Sequence, residues 1–157
     1  MNTLLLDATG ENWREAAGRA GELLRAGGLV ALPTETVYGL GANALDEGAV
    51  SRIFSVKGRP QDNPLIVHIA RLGELEPLVA RIDPRAEKLA AAFWPGPLTL
   101  IFEKSPRVPA RTTAGRGDVG IRMPSHPVAR EIILRAGVPV AAPSANLSGS
   151  PSPTCFA

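Results

Sequence analysis

Lys57 and Arg59, two cations set two residues apart, have the most evident chemical use in this sequence. In an extended segment their side chains project to one side. Together they offer several donors to phosphate or carboxylate oxygens, lysine as a point charge and arginine as a planar fork. A solvated helix terminus accounts for the same pair, since a lysine near a helix C-terminus also favours the macrodipole; for the pair taken alone this is the default. Ser144 and Asn146 repeat the two-residue spacing after an apolar run, where ordinary turn chemistry explains them as well. His68 interrupts another apolar run, as a core histidine by default or as a contact at a strand end. Arg122 says more. It sits in an otherwise apolar strand pattern, and a buried arginine needs a partner that no sequence neighbour supplies. Thr34 and Thr36 flank Glu35, a weak signal because these types are common in turns.

The elements that must position these groups are legible around residues 28–70. Leu29 to Leu32 reads as a buried strand closed by Pro33. Asp46 is a good N-cap for a helix with Ala49, Ile53 and Val56 on its inner face, and Gly58 fits the position just past its end. Leu65 to Ile69 is a second strand. Outside this stretch, Thr3 to Leu6 is a strand candidate, and Asn12 to Ala26 is a helix burying Ala16, Ala20, Leu23 and Leu24. Leu72 to Arg81 reads as an amphipathic helix with Leu75, Leu78 and Val79 inward. Asp83-Pro84 starts another helix that buries Ala86, Leu89, Ala90 and Phe93 and stops at Trp94-Pro95-Gly96-Pro97. Leu98 to Phe102 and Val119 to Met123 are strands separated by a polar loop, Ser105 to Gly117. Ser125 and Pro127 open a helix closed by Gly137, and Val138 to Ala142 is a last strand. Strands alternating with helices predict one α/β domain over residues 1–157 with a twisted mixed sheet. Open sheets of this kind bind ligands where strands end.

Composition narrows the classes. The chain has 157 residues, enough for a substantial core, with 45% hydrophobic residues, 4% aromatic and a net charge of +2. The mild basicity suits anionic ligands and decides nothing, while scarce aromatics argue against base stacking as the main mode of nucleic-acid binding. No apolar run approaches a membrane span, and the first residues lack the plan of a signal peptide. A single cysteine, Cys155, excludes an internal disulfide and a cysteine metal cluster, and the expected compartment is the reducing cytoplasm. With two histidines, no histidine-rich metal site is expected. Neither G-x-x-x-x-G-K-[ST], G-x-G-x-x-G after a strand, H-E-x-x-H nor G-x-S-x-G occurs, so catalysis would rest on positioning and electrostatics.

Five blocks taken together are more specific than any one of them. PTETVYGLGANA (33–44), KGRPQDNPLIVH (57–68), FWPGPLTLI (93–101), IRMPSHP (121–127) and APSANLSGSPSPT (142–154) closely resemble the YrdC/TsaC family of threonylcarbamoyl-AMP synthases, in order and over nearly the whole chain. The resemblance implies a YrdC-like α/β fold, with flanking helices on its mixed sheet. It also implies synthesis of threonylcarbamoyl-AMP from L-threonine, bicarbonate and ATP, with release of pyrophosphate, for N6-threonylcarbamoyladenosine modification of tRNA. By the same analogy Lys57 and Arg59 hold phosphate and carbamate oxygens as the catalytic cations. Asn63, Ser144, Asn146 and Ser152 contact the nucleotide. Thr34, Thr36, His68, Arg122 and the backbone at Ala142 form the threonine pocket, with Arg122 on the substrate carboxylate. ATP is expected as substrate, with Mg2+ held mainly by its phosphates and no metal site in the protein. The tRNA threonylcarbamoyl-transfer machinery is the expected partner.

Two departures stand out. Asp118 occupies a position where relatives carry Thr or Ser, and a carboxylate there would repel phosphates. The family domain continues through further strands beyond Ala157, so the chain is expected to be short at its C-terminus, with a sheet edge open to association. A different class of function is an RNA-binding module without turnover. It would use Lys57, Arg59, Arg107, Arg111, Arg116 and Arg122 on phosphates. The related carbamoyl-adenylate chemistry of hydrogenase maturation ranks last, because the zinc-finger segments that accompany it are missing here.

Overall fold

The structure, a computed structural model, describes residues 3–155. Helix α1 spans Trp13–Arg25 and buries Ala17, Ala20, Gly21 and Leu24, while Leu23 stays exposed. The buried stripe is therefore turned from the expected one. The cause is α4 (Pro127–Ala136), which crosses so closely that a Cβ on Gly21 would lie 2.7 Å from the Ala136 nitrogen. Small residues must face such a crossing. The Arg25 guanidinium also donates to the carbonyls of Arg135 and Ala136, satisfying the end of α4.

Strand β1 (Val30–Leu32) pairs antiparallel with β2 (Gly39–Asn43). Helix α2 (Glu47–Lys57) starts at Asp46, whose side chain accepts from the Ala49 amide at 3.0 Å, and ends at Gly58 with φ 57°. Its buried face is Ala49, Val50, Ile53, Phe54 and Lys57; Val56, expected inside, is exposed. Strand β3 is Ile66–His68. The helix expected over 72–81 is instead two 3₁₀ turns, Leu72–Glu74 and Glu76–Leu78, with Pro77 unable to donate to an α-helical ladder. Leu75, Leu78 and Val79 are nonetheless buried as the pattern requires.

Helix α3 (Pro84–Phe93) is capped by Asp83 on the Arg85 amide. It buries Ala90 and partly Ala86, whereas Leu89 and Phe93 face outward. Strands β4 (Thr99–Glu103), β5 (Asp118–Arg122) and β6 (Val140–Ala141) complete the sheet. His126, not Ser125, caps α4 through its ring nitrogen, and Gly137 ends that helix with φ 65°. The segment from Thr3 to Leu6, expected as a strand, has no regular structure; Leu4 and Leu5 are exposed and Leu6 packs against α1 and α4.

The sheet order is β1-β2-β6-β3-β5-β4, with β3 and β5 parallel and the other neighbours antiparallel, a mixed sheet as expected. Alternation assigns its faces. Val67, Val119, Ile121, Phe102 and Ala141 point to the main core beneath α2 and α3. The opposite face is only half covered. Helices α1 and α4 close it over Leu32 and Val140, forming a second core. Beyond β6 the same face continues with His68 and Arg122, which are buried, and with Ile66, Asp118, Gly120, Thr99, Ile101 and Glu103, which are exposed or half-buried. The register sets His68 beside Arg122 beside Thr99, and Ile66 beside Gly120 beside Ile101.

The loop 105–117 is not merely solvated. Thr112 and Thr113 are fully buried, and the Thr112 hydroxyl donates to the Ala44 carbonyl at 2.7 Å. No helix among the described residues is long and apolar enough to cross a membrane.

Candidate active site

The β1–β2 turn is built by a hydroxyl. Thr34 Oγ1 donates to the Val37 carbonyl at 2.6 Å and accepts from the Thr36 and Val37 amides, a side chain standing in for backbone pairing. This fold of the turn aims Glu35 across the molecule. Its Oε1 lies 2.7 Å from Nη2 of Arg122 on β5, which also donates to Thr36 Oγ1 at 3.2 Å. The partner that Arg122 requires is thus 87 residues away in sequence. Burial pushes the Glu35 carboxyl up, but the Arg122 guanidinium and backbone donors outweigh it and hold it below the usual carboxylate range. Arg122 Nε is buried with no hydrogen-bond partner among the described residues.

His68 is buried beside Arg122, with Nδ1 3.2 Å from the Ile66 carbonyl. Burial, then the neighbouring guanidinium, lowers its pKa to about 4, so the ring is neutral at physiological pH. His68 and Arg122 share one cavity of about 170 Å³, and Glu35 reaches it only through Arg122. All five residues expected in an amino-acid pocket line it: Thr34, Thr36, His68, Arg122 and Ala142. Ser144, expected on the nucleotide, lines it too, as do Val37, Gly39, Ile66 and Pro143, which the sequence reading did not single out. Glu35, ranked there as a turn residue, was missed as well; its signal lay only in the unmet need of Arg122. A larger hollow of about 460 Å³ along α1, bordered by Arg14, Glu22 and Arg135, touches none of these residues.

Of the remaining predicted residues, Lys57 meets the cavity wall through Ser144. Lys57 ends α2 almost fully buried, and its Nζ donates to the carbonyls of Ser144, at 2.5 Å, and Asn146. The Ser148 amide donates back to the Lys57 carbonyl, so side chain and backbone both fasten the 144–148 turn to α2. Desolvation, then the Arg59 charge, hold the Lys57 ammonium below its usual range. The left-handed Gly58 reverses the chain where an extended run was expected. Arg59 therefore serves a different loop, donating to the carbonyls of Asn63 and Pro64, and burial lowers its pKa as well. Asn146 closes its own turn onto Leu147 and Ser150, and the Ser152 hydroxyl donates to Asn146 Oδ1 at 3.3 Å.

The arrangement also bears on the phosphate-binding surface considered for RNA. Of its six cations, Lys57 and Arg122 are buried, and Arg111 stacks over the Phe54 ring while bonding Ser51 and Gln61. Asp118 stands exposed at the start of β5, opposite Glu103 on the open face.

Comparison with known proteins supports the fold. The curated threonylcarbamoyl-AMP synthase of Pyrococcus abyssi is 58% identical over 146 residues, covering 92% of this chain and 42% of its own length. That of Bacillus subtilis is 56% identical over 137 residues, covering 87% and 40%. The chain thus spans about two fifths of these relatives. The crystal structure of P. abyssi Sua5 complexed with L-threonine superposes with a TM-score of 0.88 at 57% identity, covering 90% of this chain and 42% of that one. The Sua5/YciO/YrdC family, described as "Telomere recombination", matches residues 22–157. With that match over most of its length and relatives more than half identical, the chain belongs to the Sua5/YciO/YrdC family.

Proposed function

We propose that this chain carries the site for ATP-dependent synthesis of threonylcarbamoyl-AMP from L-threonine and bicarbonate, with release of pyrophosphate. The observation that carries the reading is the buried Arg122 on the wall of a small cavity, with Nε unpartnered and His68 neutral beside it. With Glu35 on Nη2, the guanidinium still has donors left over for a ligand carboxylate. The cavity is below the roughly 300–1,000 Å³ of drug-sized pockets, which suits a single amino acid. P. abyssi Sua5, whose structure was solved with L-threonine, supports threonine as that ligand.

In this reading Thr34, Thr36, His68 and the Ala142 backbone surround threonine, with its carboxylate on Arg122. Once its ammonium has released a proton, the threonine amine condenses with bicarbonate to a carbamate with loss of water, and a carbamate oxygen attacks the ATP α-phosphate and expels pyrophosphate. Arg59 and Lys57 are the cations assigned to the developing charge, through the donors that their carbonyl partners leave free, because fixed cations there lower the barrier most. Asn63, Ser144, Asn146 and Ser152 hold the nucleotide. Three acids that repel one another must meet, and Mg2+ on the phosphates would reduce that repulsion. Among the described residues, no three His, Cys, Asp or Glu side chains gather to hold a metal, so the cation would travel with ATP. The product is a reactive mixed anhydride, and a tRNA threonylcarbamoyl-transfer machinery is its proposed consumer.

The test is pyrophosphate release from ATP and Mg2+ in bicarbonate, with and without L-threonine. Release that requires threonine is the expected result. Release indifferent to threonine rejects the substrate assignment, and its absence alongside RNA binding of steep salt dependence favours a binding module.

A further inference from the structure

We infer that Glu35 makes this cavity a site for zwitterions, admitting an α-amino acid and refusing the same acid without its amine. The inference rests on the amino-acid reading given above. Two ionisable groups line the cavity, Arg122 and His68, and two more, Glu35 and Lys57, bond to its lining residues, each from a different element. Arg122 on β5 is cationic, and Glu35 on the β1–β2 turn touches it at 2.7 Å. His68 on β3 is neutral at physiological pH. Lys57 at the end of α2 lies behind Ser144, with its ammonium turned onto the carbonyls of Ser144 and Asn146.

The Arg122 charge is therefore already balanced before a ligand arrives. Both of its hydrogen bonds use Nη2, to Glu35 and to Thr36, while Nε has no partner. Nη1 makes no hydrogen bond among the described residues and, unlike Nε, is not shut off from solvent, so a carboxylate can approach it without displacing Glu35. It then adds a second anion to one cation in a largely desolvated place, and an uncompensated charge there is costly. An α-ammonium on the same ligand restores neutrality; a simple carboxylic acid does not. The Arg122 and Glu35 side chains are 10% and 20% exposed, although Glu35 and Thr36 as whole residues are exposed, so water screens this imbalance only in part.

The experiment is calorimetric titration of the chain with L-threonine and with 3-hydroxybutyrate, which is threonine without its amine. The wild type is expected to favour threonine by at least about 30-fold, and Glu35→Gln to reduce that ratio by about tenfold or more, with 3-hydroxybutyrate gaining affinity. Glu35→Asp should restore the preference, and ATP affinity should not change in either variant. An unchanged ratio in Glu35→Gln overturns the inference. Should that variant fail to fold, the wild type is titrated with both ligands as pH rises past deprotonation of the amine. Lys57 titration weakens both ligands, whereas loss of the ammonium weakens threonine alone; parallel curves overturn the inference. A wild type that binds neither ligand refutes the amino-acid reading itself, while one that binds both equally refutes only the role of Glu35.

Discussion

The two halves of the site-bearing sheet face share one backbone pattern and have opposite contents. Under α1 and α4 the inward positions are Leu32, Gly41 and Val140, packed so closely that a Cβ on Gly41 would meet Leu32 and Val140 within 3 Å. Three strands further on, the positions pointing the same way are His68, Arg122 and Thr99, then Ile66, Gly120 and Ile101. The difference lies in what covers them. Where helices sit on the sheet, alternation builds a core; where they stop, it presents side chains to a ligand. Arg122 lies at the seam, buried enough to need a partner and open enough to receive one.

The largest expected effect comes from breaking the seam. Arg122→Met should reduce threonine-dependent pyrophosphate release by about 10²–10³-fold, because it removes the carboxylate anchor and leaves Glu35 unpaired. Steady-state kinetics with threonine varied should place most of that loss in KM. Activity within a few-fold of wild type would remove Arg122 from the site.

Next comes His68, whose pKa of about 4 compares with 6.5 for an unperturbed histidine. Between these values the unfolded chain binds the proton and the folded chain does not. The stability conferred by keeping the ring neutral is present above pH 6.5 and lost as pH falls towards 4, by as much as about 3 kcal/mol. Urea unfolding across that window should show a shallower pH slope in His68→Gln than in wild type. Equal slopes would mean that the ring is not held neutral.

Two glycines then compare the halves directly. Gly21→Ala places a methyl 2.7 Å from α4 and should cost about 1–3 kcal/mol, despite alanine's better helix propensity, without altering substrate affinity in the folded protein. Gly120→Ala lies on the open face, where its Cβ would meet only Thr99 at 3.2 Å and Ile66 at 3.8 Å. Its effect on stability should stay within about 0.5 kcal/mol. Equal costs at the two positions would deny that one half is packed and the other free.

Much of this was legible in the residues. Asp46, Asp83, Gly58 and Gly137 marked helix ends because caps and left-handed turns depend on local chemistry. The five quoted blocks pointed to the pocket residues, and all five of those line one cavity. Two of the errors share a cause. Leu23 and Val56 were placed inside by helical spacing, yet periodicity fixes only that a face exists, and the element lying opposite decides which one. In α2 that face runs through Val50, Ile53, Phe54 and Lys57, so the spacing itself carried the lysine inward, against its usual preference. Pro77, visible in the sequence, should have argued against a continuous helix over 72–81.

The sequence by itself determined the alternation of helices and strands, the ends of the helices, the family resemblance and the unmet need of Arg122. Only the tertiary structure decided which carboxylate answers that need, and that Lys57 is fastened to the carbonyls of a distant turn. Propensity and capping are settled within a turn of helix. Charge pairing across 87 residues depends on which strands become neighbours, and that is a property of the assembled sheet.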